Sequence, residues 1–264
     1  MKRLLIMAIL LLSSAARADV AVLIHGYQGS ASSWEFSGVT QALQQSGWQR
    51  AGVATPRGLV PAQAVDEGNK FYTVELPSMA PVAVQADLLA RMIRALEQRH
   101  ANEPVILVGH SAGGVVARWV LVQGGVKHPK ALITIATPHL GTLRAVEALD
   151  ETDDAFPVSV VKEFFAGELY GVVRDSWAVL LDLTPEQPGN LLFWLNRQPH
   201  PDIAYISVVR PGPIGVGDEL VPAFSQDMNR VAALKGKSRV ITAPVSHALQ
   251  PADGGLLAGL LSEL

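Results

Sequence analysis

The sequence predicts an α/β fold, a doubly wound and mostly parallel sheet with helices on both faces and a helical cap inserted late in the chain. Three observations predict it. Short apolar runs (Val20–Ile24, Val105–Val108 and Ala131–Ala136) are continuous rather than alternating, as strands covered on both faces require. Stretches of helical spacing lie between them, which implies parallel pairing through right-handed crossovers. One strand passes into its helix through Gly109-His110-Ser111-Ala112-Gly113, a turn built almost wholly from small residues.

The chain opens with Met-Lys-Arg, a nearly unbroken apolar run from Leu4 to Leu12, and Ala16-Arg17-Ala18. A basic head, a short apolar run and an A-x-A site describe a secretory signal peptide over residues 1–18, and imply a secreted or periplasmic protein. The run is short for a bilayer span, which makes a retained anchor the weaker alternative. Residues 19–264 are then expected to form one domain, large enough for a substantial core.

The first strand, Val20–Ile24, breaks at His25-Gly26-Tyr27, and a helix follows over Phe36–Ser46 with Gly47 as its stop. Trp48–Ala54 reads as a strand, Thr55–Asn69 as a loop rich in Pro and Gly, and Phe71–Leu76 as a strand. Pro81–His100 carries Val84, Leu88, Leu89, Met92, Ile93 and Leu96 at helical spacing, with Arg and Glu opposite. The segment from about 142 to 201 changes character. It reads as helical pieces bearing Phe164, Phe165, Tyr170, Trp177, Phe193 and Trp194, and all of these but Tyr170 are expected to form mainly the cap's own core, or else an apolar surface for transient contact with a lipid interface. Strands resume at Ile203–Val209 and Arg239–Ala243, and a helix over Leu256–Leu264 ends the chain.

Removing residues 1–18 takes away Lys2, Arg3 and Arg17 and no acid, which leaves 18 basic against 24 acidic side chains. No basic tract occurs, so nucleic acid is not an expected partner. Cysteine is absent, which excludes disulfides, thiol nucleophiles and thiolate metal sites. There is no H-E-x-x-H, no EF-hand loop and no Gly-rich dinucleotide fingerprint, so neither metal nor cofactor is expected.

A serine on a sharp strand-to-helix turn needs neighbours without side chains, because a Cβ at Gly109 or Gly113 would meet the adjoining strand or helix. Its hydroxyl becomes a nucleophile only if a base takes the proton and a third group orients that base. Both belong in loops after later strands, the acid first. Asp218 lies in the glycine-flanked turn Gly215-Val-Gly-Asp-Glu-Leu-Val-Pro222, and His247 follows the last strand in Pro244-Val-Ser-His247. Glu219 is the rival acid, disfavoured because adjacent side chains point apart; Asp202 precedes its strand and falls at the wrong rim. His25 and His139 stand in the wrong place for the base, and His100, His128 and His200 are expected to be solvated at element ends. The developing oxyanion needs two donors, expected to be the backbone N–H groups of Ala112 and of Tyr27, with Gly26 allowing close approach.

The His25-Gly26-Tyr27 segment, Gly109-His110-Ser111-Ala112-Gly113-Gly114, Ala136-Thr137-Pro138-His139-Leu140-Gly141-Thr142, Gly217-Asp218 with Leu220-Val221-Pro222, and Ser246-His247 together resemble the α/β-hydrolase serine lipases and esterases, particularly bacterial lipases and GPI-inositol-deacylase-like hydrolases. The resemblance implies Ser111 as nucleophile, Asp218 as acid, His247 as base, and Tyr27 and Ala112 as oxyanion donors. Gly26, His110 and His139 would line or support the pocket, and the 142–201 insertion would roof it. The implied partner is a small-molecule or lipid ester, with acyl transfer or thioester cleavage by the same residues as the rival chemistry. A non-catalytic binding module on the same fold is the rival of another class.

Overall fold

The computed structural model describes residues 18–62, 67–153 and 175–264. The expected signal peptide and the aromatics Phe164, Phe165 and Tyr170 lie outside these residues, apart from Ala18 at the edge of the former. Eight strands form one sheet in the order β3-β2-β4-β1-β5-β6-β7-β8. They are β1 (Val20–Ile24), β2 (Gln49–Thr55), β3 (Gly58–Pro61), β4 (Lys70–Val74), β5 (Val105–His110), β6 (Pro129–Ile135), β7 (Ala204–Val209) and β8 (Ser238–Thr242). Every pairing is parallel except β2 with β3.

Burial explains the continuous apolar runs. Along β1, Val20, Val22 and Ile24 enter one core while Ala21 and Leu23 enter the other. The first core lies under α3 (Val82–Arg99) and α4 (Ala112–Val122), which pack on each other. The second lies under α1 (Ser33–Phe36), α2 (Val39–Gln45) and the final helix α9 (Pro251–Ser262), with α2 against α9. A strand with alternate residues in two different cores has no polar face to show.

Between β6 and β7 come α5 (Leu143–Asp153), α6 (Trp177–Asp182) and α7 (Leu191–Leu195). Their Ala145, Leu149, Leu180, Leu192 and Leu195, with Leu183 just beyond α6, join the first core. A short helix, α8 (Ala223–Gln226), follows β7. The described aromatics of this insertion do not form its core. Trp177 is exposed, Trp194 is 39% exposed and rests on Trp119 with ring centroids 4.8 Å apart, and the guanidinium of Arg197 lies 3.6 Å over the half-buried Phe193. Leucines take the inward positions instead.

Three boundaries depart from the sequence reading. The expected loop after β2 contains β3, which pairs antiparallel along the open edge of β2. The first helix is split at Gly38, whose φ of +80° interrupts it. The last helix begins at Pro251, where Gln250 and Asp253 form a reciprocal capping box.

Candidate active site

Strand order reverses at β1 and β5. From β1 the chain passes outward to β2 and the edge strand β3 and returns to β4 beside β1; it then crosses to β5 on the other side of β1 and continues outward through β6 and β7 to β8. Loops leaving these two neighbouring strands diverge and open a crevice at the carboxyl edge of the sheet. Ser111 stands there, between the end of β5 and the first turn of α4.

Its backbone takes φ 51° and ψ −130°, on the side of the map that residues with a Cβ rarely adopt. Such strain costs about 1–3 kcal/mol and persists only where the surroundings impose it. Here the Ser111 N–H donates to the Ile135 carbonyl at 2.9 Å, and its own carbonyl accepts from Gly114 N at 3.0 Å. The glycines are forced by close approach. A Cβ on Gly109 would lie 2.4 Å from the Gly114 Cα, and one on Gly113 would lie 2.4 Å from the His25 carbonyl oxygen. One on Gly26 would meet the Ser111 Cβ at 2.7 Å. The loop after β1 is therefore seated directly against the serine.

The structure brings Ser111, His247 and Asp218 together. His247 Nε2 is 2.9 Å from Ser111 Oγ, and His247 Nδ1 is 2.9 Å from Asp218 Oδ2. A carboxylate only accepts, so Nδ1 carries the hydrogen and Nε2 is left bare toward the hydroxyl, which donates to it. Asp218 Oδ1 also accepts from the N–H groups of Leu220 and Val221, at 2.8 and 2.7 Å. Burial pushes the Asp218 carboxyl up, but the His247 imidazole and these two N–H groups outweigh it and hold the acid below its ordinary value. Gly217, at φ +143°, leaves room for this turn; a Cβ there would lie 2.5 Å from the Val221 carbonyl oxygen.

Glu219 does not meet the imidazole. Its Oε1 accepts from the backbone N–H of His247 at 3.0 Å, so it grips the main chain while Asp218 meets the ring. Asp202 lies before β7, at the opposite rim.

A cavity of about 450 Å³ opens over Ser111 and His247. Tyr27, Gln28, Pro138, Ala145, Ala148, Leu180, Leu183 and Val221 are among its walls. Arg144 and Glu147, ion-paired at 2.6 Å and largely exposed, also border it. Tyr27 thus stands in the wall facing Ser111, and Ala112 is the first residue of α4. The positive end of that helix favours negative charge beside the serine.

The expected wall residue His139 is placed otherwise. Pro138 faces the cavity, while His139 turns inward and is fully buried. Its Nδ1 accepts from Arg118 at 3.4 Å and its Nε2 meets Thr134 Oγ1 at 3.1 Å. Burial, then the Arg118 charge, holds it well below the ordinary histidine value. His200 is not solvated either: it accepts from Arg118 Nε at 3.3 Å and is pushed down to about 4, first by burial. Likewise His100 is half-buried and bonds the Tyr72 hydroxyl at 2.8 Å, whereas His128 is exposed.

His110 does not border this cavity. Its Nε2 donates to the His247 carbonyl at 2.9 Å, and burial followed by the His247 charge lowers it to about 3. His25 is buried and ties two loops together, since its Nδ1 donates to the Gly26 carbonyl at 3.0 Å while its Nε2 accepts from Leu76 N at 3.1 Å. Sequence reasoning missed Gln226 and Arg210. Gln226 Nε2 donates to Asp218 Oδ2 at 3.2 Å and to the Val221 carbonyl at 2.8 Å. The signal for Arg210 was present, a charged residue directly continuing an apolar strand. Among the described residues, no group of three or more His, Asp and Glu side chains could hold a metal ion, and no helix is long and apolar enough to cross a membrane.

The chain is similar to known proteins in sequence and in fold. Over 160 residues it is 29% identical to a chloroplast protein of Arabidopsis thaliana assigned by name alone as methylesterase 12. The match covers 60% of this chain, which spans less than half (44%) of that relative. Its fold is similar to that of the mature form of a Bacillus licheniformis lipase (16% identity, TM-score 0.57, 94% and 91% of the two chains). It is also similar to the thioesterase of a Streptomyces coelicolor prodiginine pathway (18% identity, TM-score 0.51, 95% of this chain and 94% of the other in its PEG-bound form). A family model described as the alpha/beta hydrolase family matches residues 21–258, nearly the whole described chain, and the chain therefore belongs to the alpha/beta hydrolase family.

Proposed function

We propose that this protein is an exported serine hydrolase that cleaves carboxylic esters through an acyl-enzyme. One observation carries the reading: the unbroken relay from Ser111 Oγ through His247 to Asp218, with both links at 2.9 Å, on a strained turn that opens into an apolar cavity. Ser111 attacks the ester carbonyl, and His247 Nε2 takes the hydroxyl proton and then passes it to the departing alcohol. Asp218 keeps the imidazole in the tautomer that can accept and stabilises it once charged. The N–H groups of Ala112 and Tyr27 receive the oxyanion, in a site where the α4 N-terminus adds to their effect. Water then attacks the acyl-serine by the same route. The methylesterase name of the Arabidopsis relative favours the ester as the bond cleaved. The basic head, apolar run and A-x-A pattern of residues 1–18 support export.

A p-nitrophenyl ester series from short to long acyl chains, run on residues 19–264 and on Ser111→Ala, tests this. Turnover is expected in the first and a loss on the order of 10⁴-fold or more in the second. Fluorophosphonate should label Ser111 covalently. Unchanged turnover in Ser111→Ala would overturn the assignment, and failure to label or hydrolyse would favour a binding module. Product partitioning with excess alcohol separates hydrolysis from acyl transfer.

A further inference from the structure

His247 lies in a stretch without regular secondary structure, between the end of β8 and the first residue of α9, so no ladder of strand hydrogen bonds fixes its backbone. What fixes it instead is a set of side chains, and the deepest of them is Arg210. This residue follows β7 directly and is 0% exposed. Its Nη1 donates to the carbonyls of Ser246 and of Ala248, the latter at 3.1 Å, while Nη2 donates to Asp253 Oδ2 at 2.8 Å. The two carbonyls are those of the residues on either side of His247.

We propose that Arg210 is a positioning residue for His247: its guanidinium holds the peptide carbonyls flanking the base and so keeps the imidazole aligned between Ser111 and Asp218. This rests on the serine-hydrolase reading above.

Two further features point the same way. The main chain of Arg210 is tied to the acid, because its N–H donates to Gln226 Oε1 at 2.7 Å and Gln226 Nε2 donates to Asp218 Oδ2 at 3.2 Å. One residue thus serves as a common post, its side chain for the base loop and its backbone, through Gln226, for the acid. The other feature is energetic. A wholly buried ion pair offers little stability over apolar packing, since desolvating both charges offsets their attraction. What a guanidinium offers that an apolar side chain cannot is a rigid fork of donors, able to hold several oxygens at fixed directions. Displacement of a catalytic group by about 1 Å is enough to lower a rate on the order of 10²-fold.

The test compares native protein, Ser111→Ala, the double variant Arg210→Met/Asp253→Asn, and Arg210→Lys on one p-nitrophenyl ester. The double variant leaves no buried charge unpaired, and the asparagine oxygen can still accept from Gln250 N, as Asp253 Oδ2 does at 2.8 Å. The expected result is a cooperative melt, a kcat at least ten-fold below native and a KM within two-fold. Arg210→Lys keeps the charge but not the fork, and is expected to lose kcat in the same sense by a smaller factor. A folded double variant with kcat within two-fold of native would overturn the proposal. Should the double variant not fold, Arg210→Lys decides alone, with native kcat overturning the proposal and reduced kcat at unchanged KM supporting it. Turnover surviving in Ser111→Ala would instead sink the serine-hydrolase reading, an outcome separate from any of these.

Discussion

His110 Nε2 donates to the backbone carbonyl of His247 at 2.9 Å across 137 positions of sequence, so the residue before the serine holds the residue that faces it. The carbonyl can only accept, which fixes a hydrogen on Nε2, and burial, which lowers the group to about 3, keeps the imidazole neutral. Replacing His110 with Phe would leave that carbonyl without its partner, a loss of about 1–3 kcal/mol if no water replaces the ring. His110→Phe is expected to lower both the melting temperature and kcat, and His110→Gln to recover part of each. Calorimetry and steady-state kinetics on the two variants check this.

Asp218 and Glu219 are adjacent yet do different work, one on the ring of His247 and one on its main chain. Asp218→Asn removes the negative charge beside His247 Nδ1 and can turn an amide N–H toward it, which favours the tautomer that cannot accept from Ser111, and kcat should fall on the order of 10⁴-fold. Glu219→Gln keeps an oxygen for the His247 N–H and should stay within several-fold of native. Equal losses in the two would assign the acid wrongly.

Gly26 offers a direct probe of the loop against the serine. A methyl there would stand 2.7 Å from the Ser111 Cβ and 3.4 Å from its Oγ, so either the nucleophile or the loop must move. Gly26→Ala is expected to lower kcat on the order of 10²-fold with a smaller effect on the unfolding midpoint. Native kcat in this variant would show that the loop yields freely.

Acid should destabilise the fold through its buried imidazoles. Burial is the leading cause of the depressed values of His25, His110, His139 and His200, with His110 at about 3 and His200 at about 4. Unfolded histidines take up protons near pH 6.5, before these folded ones do. The stability they contribute is therefore complete above about pH 6.5 and is lost as pH falls toward their folded values. A fully buried imidazole contributes a slope of about 1.4 kcal/mol per pH unit in that window. Denaturant midpoints at pH 7.5, 6 and 5 should fall steadily, and less steeply in His139→Gln.

Local patterns carried most of the architecture. The strands Val20–Ile24 and Val105–His110 were legible because apolar continuity has one cause, burial on both faces, and both strands have it. The meeting of Ser111, Asp218 and His247 was legible because chain order and strand ends restrict which residues can reach one rim of the sheet. β3 was not, since Gly58–Pro61 has little burial of its own and exists only by pairing with β2. His139 misled because position after a strand places a residue at the rim without fixing which way it points; the turn through Ala136, at φ +52°, gives the cavity to Pro138. Gln226 meets its partners through contacts that no local spacing encodes, and the place of Arg210 after an apolar strand marks a buried charge without naming the oxygens it holds.

The loops at the carboxyl edge of the sheet also bear on folding. Ser111, His247, Asp218 and the Gly26 loop come from the ends of four strands, β5, β8, β7 and β1, spread over more than 200 positions. Parallel strands close slowly, because each pairing must first bring distant chain together. A refolding molecule can recover most of its helix and sheet while Ser111 and His247 are still apart. Hydrolysis should therefore return after the circular-dichroism signal, and turnover would report the completed assembly rather than the amount of secondary structure.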